Sequence, residues 1–256
     1  MMRLRLVRGA DIASWPADAV VSSSNSALAP NNNPLFRRFA GRDGTNGAIH
    51  AAAGPELLEA CRVFGDVDLQ RIGRPNKLNR RGRSNTRCAV GEAVATPAFG
   101  ALKCTHVIHT VAPDGLLGQD EESRGLLRRT YESVLSQCVR LGVGAVAVPA
   151  LGCGVHRWSP DSAAEIALRA FAAHARGGSE HPQRVDMCLR DDEVWSAFQR
   201  AAEEIFGTRE GGRSGCSAER ADVEVGLGEG RGGEGAHEVI VWTLGPAGRR
   251  SDGAKL

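Results

Sequence analysis

The chain is 256 residues long, 42% hydrophobic, and carries 32 basic against 30 acidic residues for a net charge of +2. That length accommodates one sizeable domain or a domain plus a tail, and the near balance of charge excludes a protein held to nucleic acid or membranes by bulk charge. No apolar run reaches membrane-spanning length, and seven cysteines without paired spacing speak against a disulfide framework and for reduced thiols in an intracellular protein.

In chain order, Met2-Arg3-Leu4-Arg5-Leu6-Val7 alternates like a strand and lacks the layout of a signal peptide. Residues 19–22 form a short buried strand, and 48–53 and 56–64 read as helix broken at Gly54-Pro55. Residues 91–96 and 105–111 are predicted strands. Residues 122–141 make a long amphipathic helix, with Leu126, Leu127, Val134, Leu135 and Val139 at helical spacing. The continuous apolar run 145–148 has the pattern of a strand covered on both faces. Ser159 is read as the cap of the next helix, with Pro160 at its first position and Ile166, Ala170 and Phe171 along one side. A strand over 184–189 and a helix over 193–206 close the set. Such alternation predicts a three-layer α/β domain with a largely parallel sheet over residues 1–206.

Two segments fall outside this pattern. Residues 66–87 are polar and basic, with Arg71, Arg74, Lys77, Arg80, Arg81, Arg83 and Arg87, and read as a solvated surface insertion; a nucleic-acid contact is the alternative. From Gly207 the composition is rich in Gly, Glu and Arg, which predicts a disordered tail over 207–256. Within it, Glu238-Val239-Ile240-Val241-Trp242-Thr243 has strand character but no evident partner, and stays unassigned.

The most informative feature is a pair of glycine-bearing turns that run off strands into helices. One surrounds Asn25 and continues into Gly44-Thr45-Asn46-Gly47-Ala48-Ile49-His50; the other is Val148-Pro149-Ala150-Leu151-Gly152-Cys153-Gly154-Val155-His156. Glycine lets backbone approach a ligand closely, and a helix start presents free N–H groups and partial positive charge. Two such turns facing one crevice suit a pyrophosphate.

Taken together, these stretches resemble a macro domain, the ADP-ribose-binding module, over residues 5 to 206. Asp11-Ile12 resembles the family's entry to the adenine pocket. The run from Ala17 to Ser26 resembles its strand ending in Asn-Ala-Ala-Asn-Ser, and Gly47 to Pro55 its Gly-x-Ile-His-x-Ala-Ala-Gly-Pro helix. Gly91-Glu92-Ala93 and Val107-Ile108-His109-Thr110-Val111-Ala112-Pro113 are similar to two further signatures, and Pro149 to His156 to the second phosphate loop.

The resemblance implies a three-layer α/β/α fold with a mixed, mostly parallel sheet, and ADP-ribose, free or on mono-ADP-ribosylated proteins, as ligand. It implies that Asp11 accepts from the adenine amino group, that the Ile12 backbone reads a ring nitrogen, and that Asn25 holds the distal ribose; the alternatives are an Asp11 that merely closes a turn after Gly9-Ala10 and an Asn25 that is a satisfied turn asparagine. Backbone from Gly44 to Gly47 and from Gly152 through Cys153 and Gly154 to Val155 would cradle the diphosphate. His156 stands where the family commonly has Tyr or Phe; a surface-loop histidine is the alternative. His50 and His109 read as satisfied structural histidines. Cys153 sits beside the phosphates, a setting that can lower a thiol's pKa, yet the family needs only a small residue there and no nucleophile is assigned. No cofactor, metal or membrane partner is expected, and a monomer is.

Departures from the family pattern leave the activity open. Hydrolytic members commonly carry Gly-Val-Asp-Gly before the helix, where this chain has Gly44-Thr45-Asn46-Gly47, and asparagine is no general base. Ser22 replaces the first Asn of the strand-end motif. A longer loop between Asn25 and Gly44 brings Arg37, Arg38 and Arg42, which could bond phosphate, and Phe36 and Phe39, which would pack the loop down. The alternatives to pure binding are an ADP-ribosyl hydrolase or O-acetyl-ADP-ribose deacetylase, with Asn25 and Asn46 positioning water and ribose, and a nucleic-acid adaptor acting through residues 66–87.

Overall fold

A computed structural model describes residues 1–31, 44–65, 86–178, 182–207, 218–221, 226–227 and 236–245. The readings of Arg37, Arg38, Arg42, Phe36, Phe39 and the basic insertion up to Arg83 fall outside these residues.

Apolar strands that are covered on both faces pair in parallel. Five strands obey this rule: β1 (Met2–Arg8), β2 (Ala19–Ser23), β4 (His106–Thr110), β5 (Ala145–Pro149) and β6 (Arg184–Leu189). They lie in the order β4-β2-β5-β6-β1, all parallel. Strand β3 (Ala93–Pro97) adds antiparallel to β4 at one side. At the other side β10 (Val239–Leu244) adds antiparallel to β1, and β7 (Ala218–Ala221) to β10. Two further strands, β8 (Gly226–Leu227) and β9 (Ala236–His237), form a separate small ribbon.

Helices α3 (Glu121–Leu141), α4 (Pro160–Arg176) and α5 (Asp192–Phe206) cover one face of the sheet, over a core that includes Leu4, Leu6, Val146, Val148, Phe171 and Phe198. Helices α1 (Thr45–Ala53) and α2 (Pro55–Arg62) cover the other face over Val20, Val107 and Ala147. The three layers are those the sequence predicts. Local chemistry sets the helix ends. Asp120 caps α3 by accepting from Ser123 N–H at 2.9 Å, and Gly142, in the left-handed region at φ 65°, ends it. Pro160 opens α4, but the expected Ser159 cap is absent as a side-chain bond; Ser159 is the cap residue by position only.

The C-terminal segment departs from expectation. Residues 239–244 are not disordered: they register with β1 from Met2↔Leu244 to Val7↔Val239. Ile240, Trp242 and Leu244 join the helix-covered core, where the Trp242 ring lies 6.1 Å from that of Phe206. Val239 and Val241 enter the core on the opposite face. A strand apolar on both sides gains only when both sheet faces are roofed, and here they are. Trp242→Ala should lower the free energy of unfolding by about 3–5 kcal/mol, the usual cost of removing a buried tryptophan side chain. Urea denaturation checks this, and an unchanged midpoint would place β10 outside the folded core.

Candidate functional site

The turns after β1, β2 and β5 all emerge at the carboxyl ends of the parallel strands, where sheets of this type present ligand sites. The turn after β5 is held from below. Tyr131, fully buried in α3, accepts from Leu151 N–H through its hydroxyl at 3.0 Å. Trp158 donates its indole N–H to Pro113 O at 2.9 Å and its backbone N–H to Gly152 O at 3.1 Å. Gly152 has φ +89°, and a Cβ there would meet the Trp158 ring at 2.8 Å, so no other residue fits without displacing that ring. A Cβ on Gly154 would meet nothing within 4 Å.

Of the backbone donors assigned to this turn, Cys153 N–H is already engaged with Ala150 O at 3.3 Å. Among the described residues, Gly152, Gly154 and Val155 have no intramolecular acceptor for theirs. Burial, aided by the charge of Asp191, pushes the Cys153 thiol up to about 12, so the turn does not lower its pKa. His156 is half-buried and not a surface histidine; its carbonyl accepts from Gly115 N–H at 2.8 Å. Burial lowers its pKa, partly offset by Asp114.

In the first turn the Asn25 side chain bonds its own loop. Asn25 is exposed, and its amide closes its own loop: Nδ2 donates to Ala29 O at 2.7 Å, while Oδ1 accepts from Ala27 N at 3.1 Å and Ala29 N at 3.3 Å. One amide hydrogen is left to offer a ligand. Arg87 braces the same loop, its guanidinium donating to Ala27 O at 2.9 Å. Gly44 precedes α1 in extended conformation without a side-chain cap, so the first N–H groups of that helix, Gly47 among them, lack intrahelical acceptors.

Asn46 is turned inward. Its Oδ1 accepts from Asn31 N–H at 3.0 Å, and its Nδ2 lies 3.4 Å from both Ser22 Oγ and Ser24 Oγ. Ser24 meets His109 Nδ1 at 3.3 Å, and the His109 Nε2 meets Thr96 Oγ1 at 3.1 Å and Cys61 Sγ at 3.6 Å. The two substituted positions, Ser22 and Asn46, therefore touch one another inside a buried polar cluster. His109 is satisfied, as the sequence suggests. His50 is not: its Nε2 is buried and has no partner among the described residues.

The turn after β1 carries Asp11 and Ile12. Gly9 N–H bonds Leu189 O at 2.7 Å, which ties this turn to the end of β6. Asp11 is exposed and shapes its own turn, accepting from Ala13 N at 3.4 Å and Ser14 Oγ at 3.2 Å. A carboxylate has capacity for a further donor beside these. Ile12 is buried, and its N–H has no intramolecular acceptor among the described residues. Sequence reasoning missed the residues that support this turn, Trp15 and Asp186. The one available signal was an aspartate in the middle of an otherwise apolar strand. No group of three or more metal-ligating side chains occurs among the described residues, and none of their helices is long and apolar enough to cross a membrane.

A family model described as Macro domain matches residues 33–167. A macro domain-containing protein of Streptomyces coelicolor is 34% identical over 198 residues, covering 77% of this chain and 97% of that protein. An O-acetyl-ADP-ribose deacetylase of Citrobacter rodentium is 31% identical over 198 residues, covering 77% of this chain and 94% of that protein. The Oceanobacillus iheyensis macrodomain solved with ADP superposes with a TM-score of 0.57 at 26% identity, covering 76% of this chain and 87% of that one.

The buried cluster makes stability depend on pH. Burial, with a contribution from His50, lowers the His109 pKa to about 3, whereas the unfolded chain titrates near 6.5. The unfolded state thus binds the proton first, so stability is full above about 6.5 and falls as pH drops toward 3. Between pH 7.5 and 5.0 the loss from His109 should be about 2 kcal/mol. Urea unfolding across that range checks it, and His109→Gln should lower the loss by that amount, leaving what His50 and His156 add in the same direction.

Proposed function

Because this chain belongs to the macro domain family, we propose that it binds ADP-ribose, free or as a mono-ADP-ribosyl mark, across the carboxyl ends of the parallel strands. The observation that carries this reading is the pair of open donor sets. Among the described residues, the N–H groups of Gly152, Gly154 and Val155 have no acceptor, and no side chain caps the N-terminus of α1 at Gly44. Unpaired N–H groups at a glycine turn and a helix start bind a diphosphate at little cost, since nothing else has to be broken first. The Oceanobacillus iheyensis macrodomain, which shares the fold, is solved with ADP.

On this reading Asp11 accepts from the adenine amino group and Ile12 N–H donates to a ring nitrogen. The remaining amide hydrogen of Asn25 bonds a hydroxyl of the distal ribose, and the half-buried His156 ring lies against that sugar. Calorimetric titration of the full chain with ADP-ribose, with AMP for comparison, tests the reading; binding no tighter than AMP would remove the phosphate cradle. Asp11→Ala should weaken ADP-ribose by about 1.5–3 kcal/mol, the range for a hydrogen bond to a charged group.

A second reading, hydrolysis or deacetylation, is favoured by the Citrobacter rodentium relative's description as an O-acetyl-ADP-ribose deacetylase. Against it stands Asn46: an amide takes no proton, and both its ends are spent on Asn31, Ser22 and Ser24. Restoring a carboxylate should therefore restore a base. Asn46→Asp is expected to raise turnover of O-acetyl-ADP-ribose by about 10²-fold or more over a low baseline. Equal turnover by wild type and variant would mean that the chemistry does not run through this position.

A further inference from the structure

The turn that presents Asp11 and Ile12 is fastened from two sides, and one of them is the C-terminal segment. Trp15, one turn on from Ile12, donates its indole N–H to Asp186 Oδ2 at 2.8 Å. Asp186 lies on β6 with 0% exposure, and Arg184 Nε is 3.1 Å from Oδ2 and Arg5 Nη1 3.6 Å from Oδ1. Arg184 also donates through Nη2 to Pro16 O at 3.1 Å, so the same strand grips the turn at two successive residues. On its outer side the Trp15 ring meets His237 edge-on, with centroids 5.5 Å apart at 74°. His237 Nδ1 lies 3.0 Å from Arg8 O, an acceptor only, so that nitrogen carries the proton. Arg8 in turn pairs with Glu238 at 3.0 Å and Asp192 at 2.9 Å.

Burying a carboxylate in a strand is expensive, and the two guanidinium groups do no more than offset it. An apolar side chain would pack at that register, as Cys188 does two residues on along the same face. What the carboxylate adds is direction: it fixes the indole in one orientation, and the indole fixes the turn.

We infer that Asp186, Trp15 and His237 are positioning residues that set the adenine-side turn, so that the C-terminal segment tunes affinity for the adenine end of the ligand. The inference rests on the reading of Asp11 and Ile12 as adenine contacts. None of the three residues touches the ligand on this account. They act through the turn, which is held besides by its own short bonds from Ala13, Ser14 and Trp15, by Gly9 N–H to Leu189 O and by Arg184 to Pro16 O.

The test uses the full chain and two readouts: amide hydrogen exchange over residues 10–16, and titration with ADP-ribose and with ribose 5-phosphate as an adenine-free probe. Trp15→Phe keeps a ring and deletes the donor. It should speed exchange in the turn about tenfold and weaken ADP-ribose about tenfold, with ribose 5-phosphate unchanged. Asp186→Asn keeps an acceptor oxygen and should stay within about twofold of wild type in affinity. His237→Ala should move both readouts in the same direction as Trp15→Phe, by about threefold. Wild-type exchange and affinity in Trp15→Phe would overturn the inference. So would equal losses for both ligands, which would mark general loosening of the cleft. A wild-type chain that bound ADP-ribose no better than ribose 5-phosphate would instead overturn the adenine reading, and the exchange data would then judge the clamp by itself.

Discussion

Parallel pairing of β4, β2, β5, β6 and β1 is the constraint on which the rest of the molecule depends. Strands that run the same way need a crossover after each one, and the crossovers roof both faces of the sheet. All of their carboxyl ends then open at one edge. The turns after β1, β2 and β5 are neighbours for that reason alone, though they are far apart in the chain. Each can present backbone donors at that edge because the helix-forming and core-forming residues lie elsewhere. Trp158 and Tyr131 show the coupling plainly: both are buried, and both spend their polar atoms holding the turn after β5 in place.

The same edge holds a buried polar cluster where an apolar core would be cheaper. Ser22, Ser24, Asn46, Thr96 and His109 satisfy one another, and His109 stays neutral because burial disfavours its charged form. Ser22 and Asn46 are the two substituted positions of the family pattern, and they are in contact. A carboxylate at position 46 would sit among hydroxyl donors, whereas the amide there both accepts from Asn31 and donates to the serines. On the proposed reading, position 46 therefore offers a ligand no proton acceptor.

At the far side of the sheet, β10 and His237 extend the domain beyond the conventional alternation of strand and helix. Strand β10 covers what would otherwise be an open edge at β1, and its two faces enter both cores. Through His237 the segment also reaches the turn that carries Asp11. The edge of the sheet and the turn that carries Asp11 are thus joined by a stretch of chain that composition alone marks as a tail.

Local patterns were legible from the sequence. Continuous apolar runs named β2 and β5, and helical spacing named α3 and α4, each within a residue or two of where they lie; glycine next to a helix start singled out the turns before α1 and α4. These features depend on neighbours in the chain, so a linear reading finds them. Side-chain direction was not legible. Asn25 and Asn46 have the right types at the right places, but one closes its own loop and the other points into the core, which depends on what packs around them. His50 looks like His109 in sequence, yet among the described residues its Nε2 is left without a hydrogen-bond partner while both ring nitrogens of His109 have one. The partner of β10 is β1, at the opposite end of the chain, and Asp186 has meaning only once Trp15 folds back over it. The sequence by itself determined the elements up to residue 206, the family and the two glycine-bearing turns, because each is written in contiguous residues. Only the tertiary structure decided which polar groups are already spent and which remain for a ligand, because that depends on contacts between residues far apart in the chain.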